Sequence, residues 1–290
     1  MKILKKYRVK ILFILNRLIF FRNYSISYYF SRFGNNLQQI AIGILYSKKK
    51  NGNFYSLEHK HINKFSTINS PLNNYFSFFK KHYRFFYFDN KKDFPKIDMN
   101  YEYIEENIES VFKQEIYKNI DFLKEKNIDD ESLVIHIRSG DIFSLPIKNY
   151  YQNPIDFYTQ IAKGFKKIIV VTSEDMLNPI CSELKKNKKF IFQSTSLEND
   201  FNTLFNAKNL ATSGVGTFPI AAALLSKKLS NIYYSDLYLK EHLNPKMITS
   251  KDVTHHRYQV EDNYIQKYEK EENIANLILD KSVSVIKLNN

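Results

Sequence analysis

Short runs of Val, Ile and Leu alternate with longer segments of helical spacing through the second half of this chain. Leu133–Arg138, Lys167–Thr172, Lys189–Gln193, Leu210–Ser213 and Asn231–Tyr234 read as strands. Short apolar runs bounded by turn signals fit strands buried on both faces. Between them, Pro154–Phe165, Asp175–Lys186, Asn199–Asn206 and Thr217–Lys227 read as helices, the last carrying Ala221, Ala222, Ala223, Leu224 and Leu225 in succession. Strands that alternate with helices of this length predict a parallel, doubly wound sheet.

The first half is less regular. Ser31–Asn35 forms a turn that opens an amphipathic helix over Asn36–Lys48, and Gly52–Leu57 and Arg84–Phe88 read as strands. A long helical stretch, Asn100–Lys126, follows a loop around Lys91, Lys92, Asp93 and Pro95. Asn127–Asp130 is the candidate domain boundary. After Asp236 the sequence is polar and mixed, with a final helix near Glu271–Leu279. The pattern divides the chain into an N-terminal segment (1–24), a first α/β domain (25–130), a second α/β domain (131–245) and a C-terminal extension with a helix (246–290).

With 290 residues, 43% hydrophobic and 25% charged, the chain is long enough for two cores and is not of disordered composition. Charge changes the picture more. The net charge is +13, and the first 22 residues hold Lys2, Lys5, Lys6, Arg8, Lys10, Arg17 and Arg22 without one acidic residue. Interleaved apolar residues, Ile11–Leu15 and Leu18–Phe21, are interrupted at Asn16 and Arg17 and fall short of the ~20 residues of a spanning helix. No small-residue cleavage site follows, which argues against a signal peptide. A basic apolar helix on an anionic membrane surface is one reading, and a first core element with solvated lysines is the other. Nucleic acid is not supported as a partner, because no zinc-finger spacing, recognition-helix signature or aromatic RNA-binding motif is present. The single cysteine, Cys181, fits a reducing cytosol and reads as a small core residue. No Walker loop, Asp-x-Asp motif or metal-ligand pair at helical spacing occurs. His59 and His61, and the pair His255–His256, read as surface residues.

Three segments carry candidate chemistry: Arg32-Phe33-Gly34-Asn35-Asn36-Leu37, His136-Ile137-Arg138-Ser139-Gly140-Asp141, and Ser213-Gly214-Val215-Gly216-Thr217-Phe218. In open α/β sheets ligands bind outside the carboxyl ends of the strands, so Arg138 and Asp141 fall where a phosphate-bearing ligand would be held. The arginine fork suits phosphate because it donates two parallel hydrogen bonds and keeps its charge. Gly140 permits the sharp turn. Plainer readings exist for each: an ordinary β–α connection for Gly214–Thr217, a helix N-cap for Asn35, a core residue for His136, and a backbone-bonded turn residue for Asp141.

Together the three segments resemble the fucosyltransferase superfamily of GT-B-like fold, which includes glycosyltransferase family 11, the α-1,6-fucosyltransferases and the protein O-fucosyltransferases. Members open with a Gly-Arg-Phe-Gly-Asn-Gln type loop, carry a His-x-Arg-x-Gly-Asp strand-turn, and later a Ser/Thr-Phe turn before an alanine-rich helix. Here Ser31 stands in place of the opening Gly and Asn36 in place of Gln, and the later turn reads Gly-Thr-Phe-Pro. The likeness runs over about residues 28–236 and implies two Rossmann-like domains with parallel sheets flanked by helices. It implies an inverting glycosyltransferase, α-1,2-fucosyltransferase-like, moving fucose from GDP-fucose to a glycan acceptor in surface polysaccharide or glycoconjugate synthesis. Domain 25–130 would then face the acceptor and domain 131–245 would hold the donor. The alternatives are another nucleotide sugar on the same fold, or a non-catalytic glycan- or membrane-binding relative.

The resemblance also assigns roles. Arg138 would contact the β-phosphate and Asp141 would orient Arg138 or act near the acceptor, as the two catalytic residues. Gly34 and Asn35 would face the donor from the first domain. His136 would contact the nucleotide, and Gly216, Thr217 and Phe218 would offer backbone amides and the Thr217 hydroxyl at a helix start. Apart from the resemblance, Glu174 and Asp175 follow the Lys167–Thr172 strand at the sheet edge, where a ribose or base would lie. No obligate metal or other cofactor is implied beyond the donor. A cytoplasmic enzyme, peripheral on the inner face of a membrane, is the expected setting.

Overall fold

A computed structural model describes residues 22–74, 77–85, 97–144, 150–271 and 273–288. The basic apolar reading of residues 1–21 therefore lies outside the described residues. The chain divides into two compact units, Met1–Phe122 and Leu123–Asn290.

The first unit is built on a four-stranded sheet of order β3-β2-β1-β4. Its strands are β1 (Asn23–Ile26), β2 (Asn53–Tyr55), β3 (Ser66–Thr67) and β4 (Lys81–Tyr83). β1 pairs in parallel with both β2 and β4, and β3 is antiparallel to β2. Helix α1 (Phe33–Lys49) crosses from β1 to β2 and buries every residue from Phe33 to Ser47. Strand β1, Asn-Tyr-Ser-Ile, is fully buried although two of its residues are polar. Buried polar groups must be hydrogen-bonded. The Asn53 side chain meets that need by donating to Asn23 Oδ1 at 3.2 Å and accepting from the Asn69 and Ser70 amides at 2.9 and 2.8 Å.

Two expectations change here. The Asn100–Lys126 helix is shorter: α2 (Tyr101–Val111) runs into a π turn (Phe112–Ile116) and a 3-10 turn (Tyr117–Asn119). Asn119 ends it by donating its side-chain amide to the Glu115 carbonyl at 2.7 Å, satisfying one of the carbonyls a helix end leaves open. The strand expected at Arg84–Phe88 lies earlier, at β4, and residues 86–88 are outside the described set.

The second unit carries a seven-stranded sheet of order β11-β10-β9-β8-β5-β6-β7. Its strands are β5 (Leu133–His136), β6 (Ile168–Val171), β7 (Phe190–Gln193), β8 (Asn209–Ala211), β9 (Asn231–Ser235), β10 (Thr254–Val260) and β11 (Val285–Lys287). All neighbours are parallel except the β10–β11 pair. Helices α3 (Ile155–Ala162), α4 (Pro179–Leu184), α5 (Leu197–Phe205), α6 (Thr217–Leu225), α7 (Tyr264–Lys270) and α8 (Ile274–Leu279) complete it. The expected α/β class with parallel sheets flanked by helices is thus present. Residues 246–290 do more than extend the domain, since β10 and β11 join its sheet.

The apolar runs explain the layering. Leu133, Val134 and Ile135 of β5 are wholly buried, as are Ile168 and Val170 of β6, so helices cover both faces. α6 is apolar all round, and its Ala221, Ala222, Leu224 and Leu225 are at most 1% exposed. A helix of that composition belongs inside. Cys181 is fully buried on α4, and burial pushes its thiol up to about 11, which keeps it protonated and unreactive.

Candidate functional site

Counted from β5, the strands of the second unit run 3-2-1-4-5-6 from β7 to β10. The order reverses between β5 and β8. Loops leave such a reversal in opposite directions and open a crevice at the carboxyl ends, where ligands bind. Two of the three sequence segments emerge there: His136–Asp141 from β5 and Ser213–Phe218 from β8.

The segments are tied together directly. His136 Nδ1 lies 3.1 Å from Ser213 Oγ, with both residues buried, and the His136 ring sits 5.7 Å from that of Phe218. Phe218 in turn packs edge-on to Phe201 of α5 at 5.2 Å. Arg138 is half-buried two residues beyond His136. Its backbone is fixed by a neighbouring loop: the Asn178 side chain donates to the Arg138 carbonyl at 2.9 Å, and the Asn178 amide donates to Ser139 Oγ at 2.9 Å. Ser139 Oγ donates onward to Asp175 Oδ1 at 2.8 Å. The same carboxylate oxygen accepts from Ser173 Oγ and the Leu177 amide, both at 3.1 Å. Asp175 thus braces the Arg138 turn from β6. Glu174 is exposed beside it.

Asp175 was expected to open a helix, and it does not. α4 begins only at Pro179, because the Asn178 side chain caps it by accepting from the Ile180 amide at 3.0 Å and proline fits the first turn. Gly140 adopts φ +81°, as the predicted turn requires, and Asp141 starts a single helical turn, Asp141–Ser144.

The second wall is the turn before α6. Gly214 has φ +84°, and a Cβ there would stand 2.7 Å from the Tyr151 carbonyl. The 150–153 stretch presses on this turn: the Val215 amide donates to the Tyr151 carbonyl at 3.2 Å, and the Asn153 side chain donates to the Thr212 carbonyl at 3.0 Å. Asn153 is held in turn by Ser235 Oγ at 2.5 Å. Gly216 is the N-cap of α6 and brings no side chain to the helix's opening amides. These amides carry the positive end of the helix dipole.

Gly34 and Asn35 lie in the other unit, buried in the first turn of α1. The loop before them is clamped by Gln39, which accepts from the Phe30 amide at 2.8 Å and donates to the Arg84 carbonyl at 2.6 Å. Ser31 adopts φ +63°. That left-handed backbone explains why a glycine suits this position and costs a residue with a Cβ about 1–2 kcal/mol. Ser31→Gly should therefore raise the melting temperature slightly, by the part of that strain not offset by the freer unfolded chain; calorimetry of the two proteins checks it.

The histidine pairs are not surface residues. His59 and His61 are half-buried in an aromatic cluster with Tyr29, Phe33 and Phe122. Burial and then the neighbouring His61 push the His59 imidazole below its ordinary range, so it is neutral near pH 7. Its Nδ1 accepts from the His61 amide at 3.1 Å and its Nε2 meets the Asn36 side-chain amide at 3.2 Å. An imidazole accepting at Nδ1 carries its proton at Nε2, so this contact is a hydrogen bond only with the Asn36 amide turned to present its oxygen, which otherwise has no partner among the described residues. His255 and His256 are half-buried on β10, bonded to the Ile248 carbonyl and Asn231 Oδ1. Among the described residues no cluster of His, Cys, Asp and Glu is arranged to hold a metal, and no helix is long and apolar enough to cross a membrane.

Ser213, Ser139, Asn178 and Asn153 are the positioning residues that sequence reasoning missed. Asn178 and Asn153 each carried a signal, an Asn-Pro pair that commonly opens a helix, and Ser139 and Ser213 stood inside two of the three segments without a role of their own.

No protein-family model and no curated protein matches the chain. A solved structure of POFUT1 in complex with GDP is similar over 71% of this chain and 95% of that one, at 11% identity and a TM-score of 0.38.

Proposed function

We propose that this chain is a GT-B-like glycosyltransferase that inverts configuration and transfers fucose from GDP-fucose to a glycan acceptor. The observation that supports the reading is the His136–Ser213 hydrogen bond across the strand-order reversal, which ties the strand that leads to Arg138 to the turn that leads into α6. Cleaving a nucleotide sugar leaves a second negative charge on the departing pyrophosphate. A cation and a helix N-terminus aimed at that charge lower the barrier by meeting it as it develops.

In this reading Arg138 pairs with the β-phosphate. The amides of Gly216–Phe218 and the Thr217 hydroxyl take the remaining oxygens. His136 keeps the two loops in register, Asp175 and Glu174 lie toward the ribose or base, and Asp141 works near Arg138. No metal is required, because the cationic side chain and the amides carry the charge.

The test is a panel of nucleotide sugars incubated with the protein, scored for released nucleoside diphosphate. GDP release from GDP-fucose alone, undiminished by EDTA, is the expected result. Release from a UDP-sugar instead would retain the transferase and replace the donor. Release from none would favour a non-catalytic relative.

A further inference from the structure

The first unit carries an exposed aromatic tip that the proposed chemistry does not use. Phe78 is 71% exposed and Phe79 41%, with their rings 4.2 Å apart. They stand just before the edge strand β4, and among the described residues most other large apolar side chains find cover. Cations follow them along the chain. Lys80 follows directly, its ammonium 4.4 Å from the centre of the Tyr55 ring, and Lys81 opens β4 beside β1. Lys80 is held below its usual range by burial and by Lys64, and Lys81 by burial and by Arg22. Among the described residues, Asp98 is linked to this edge through Lys50, which engages it at 2.9 Å and whose carbonyl accepts from Arg22 at 3.1 Å.

We propose that Phe78 and Phe79, with Arg22, Lys64, Lys80 and Lys81, form a docking surface for an anionic lipid bilayer. Two observations commit the surface to lipid. Exposed aromatic rings within a set of like-charged cations match the headgroup boundary, where rings enter the acyl edge and lysines meet phosphates. The patch also adjoins Arg22, the point at which the fold receives residues 1–21, which hold six further cations and no acid. Stable anchoring takes two signals acting together, and the sequence and the fold supply one each.

The chain contains no tryptophan, so Phe78→Trp places a single reporter at the tip of the full-length protein. On vesicles of phosphatidylglycerol and phosphatidylcholine its emission should shift to the blue, be quenched by brominated acyl chains, and recover in high salt. Phosphatidylcholine vesicles alone should leave it unchanged. Lys80→Glu with Lys81→Glu should weaken vesicle binding by roughly tenfold or more. Binding to anionic vesicles with Trp emission unshifted and unquenched would overturn the proposal, since attachment would then lie elsewhere. So would an absence of vesicle binding. Should Phe78→Trp fold poorly, Phe79→Trp reports on the same tip with the same outcomes.

Discussion

Arg138→Ala should lower turnover of the nucleotide sugar by about 10²–10³-fold while leaving the protein folded. The magnitude is that of removing one preorganised donor from a charge that develops in the transition state. The fold should survive because Asn178 holds the Arg138 carbonyl rather than its guanidinium, and Ser139 supplies the link to Asp175. An alanine keeps all of those backbone contacts. Arg138→Lys should recover only part of the loss, because an ammonium restores the charge without the two-pronged geometry that matches phosphate oxygens. Steady-state rates with unchanged circular dichroism check both variants. Full activity in Arg138→Ala would remove this residue from the chemistry.

Gly214→Ala should be strongly destabilising to the second unit. The added carbon would stand 2.7 Å from the Tyr151 carbonyl and 3.3 Å from Asn153 Oδ1, on a backbone at φ +84°. Strain of that kind together with overpacking costs roughly 2–4 kcal/mol. The melting temperature of a chain this size falls by about 2–4 °C per kcal/mol. Relief requires the turn to move off Tyr151 and Asn153, which carries Gly216 and the start of α6 with it, so nucleotide binding should fail along with stability. Gly164→Ala is the control: its new carbon meets only the Ile161 carbonyl at 3.7 Å, and its melting temperature should stay level or rise. Thermal melts of the two variants side by side decide the matter.

Much of the second unit was legible because burial on two faces writes itself as uninterrupted Val and Ile, as in β5 and β6. β1 and β10 were not legible for opposite reasons. β1 fills its buried positions with Asn23 and Ser25, whose need for partners is met by residues about 30 positions away, Asn53 and Tyr55. β10, Thr-His-His-Arg-Tyr-Gln-Val, is half-buried between β9 and β11 and so lacks the apolar run that marked its neighbours. The candidate site divides the same way. Arg138, His136 and the Gly214–Phe218 turn stood out because their chemistry follows strands in sequence. Ser213 and Asn178 hold that chemistry in place through contacts between loops that only the strand order brings together. Asp175 was found for its position after β6, and its observed bonds make it a brace for the Arg138 turn.

The most direct measurement is the thermal stabilisation of the wild-type protein and Arg138→Ala by GDP. A ligand that binds only the native state stabilises it by about 2.7 kcal/mol at 100 times its Kd. The wild-type protein should melt higher as GDP rises, UDP should do little, and Arg138→Ala should respond only at far higher concentration. Equal stabilisation of the two proteins by GDP, or none of the wild type by any nucleotide, would contradict a donor site at the β5–β8 crevice.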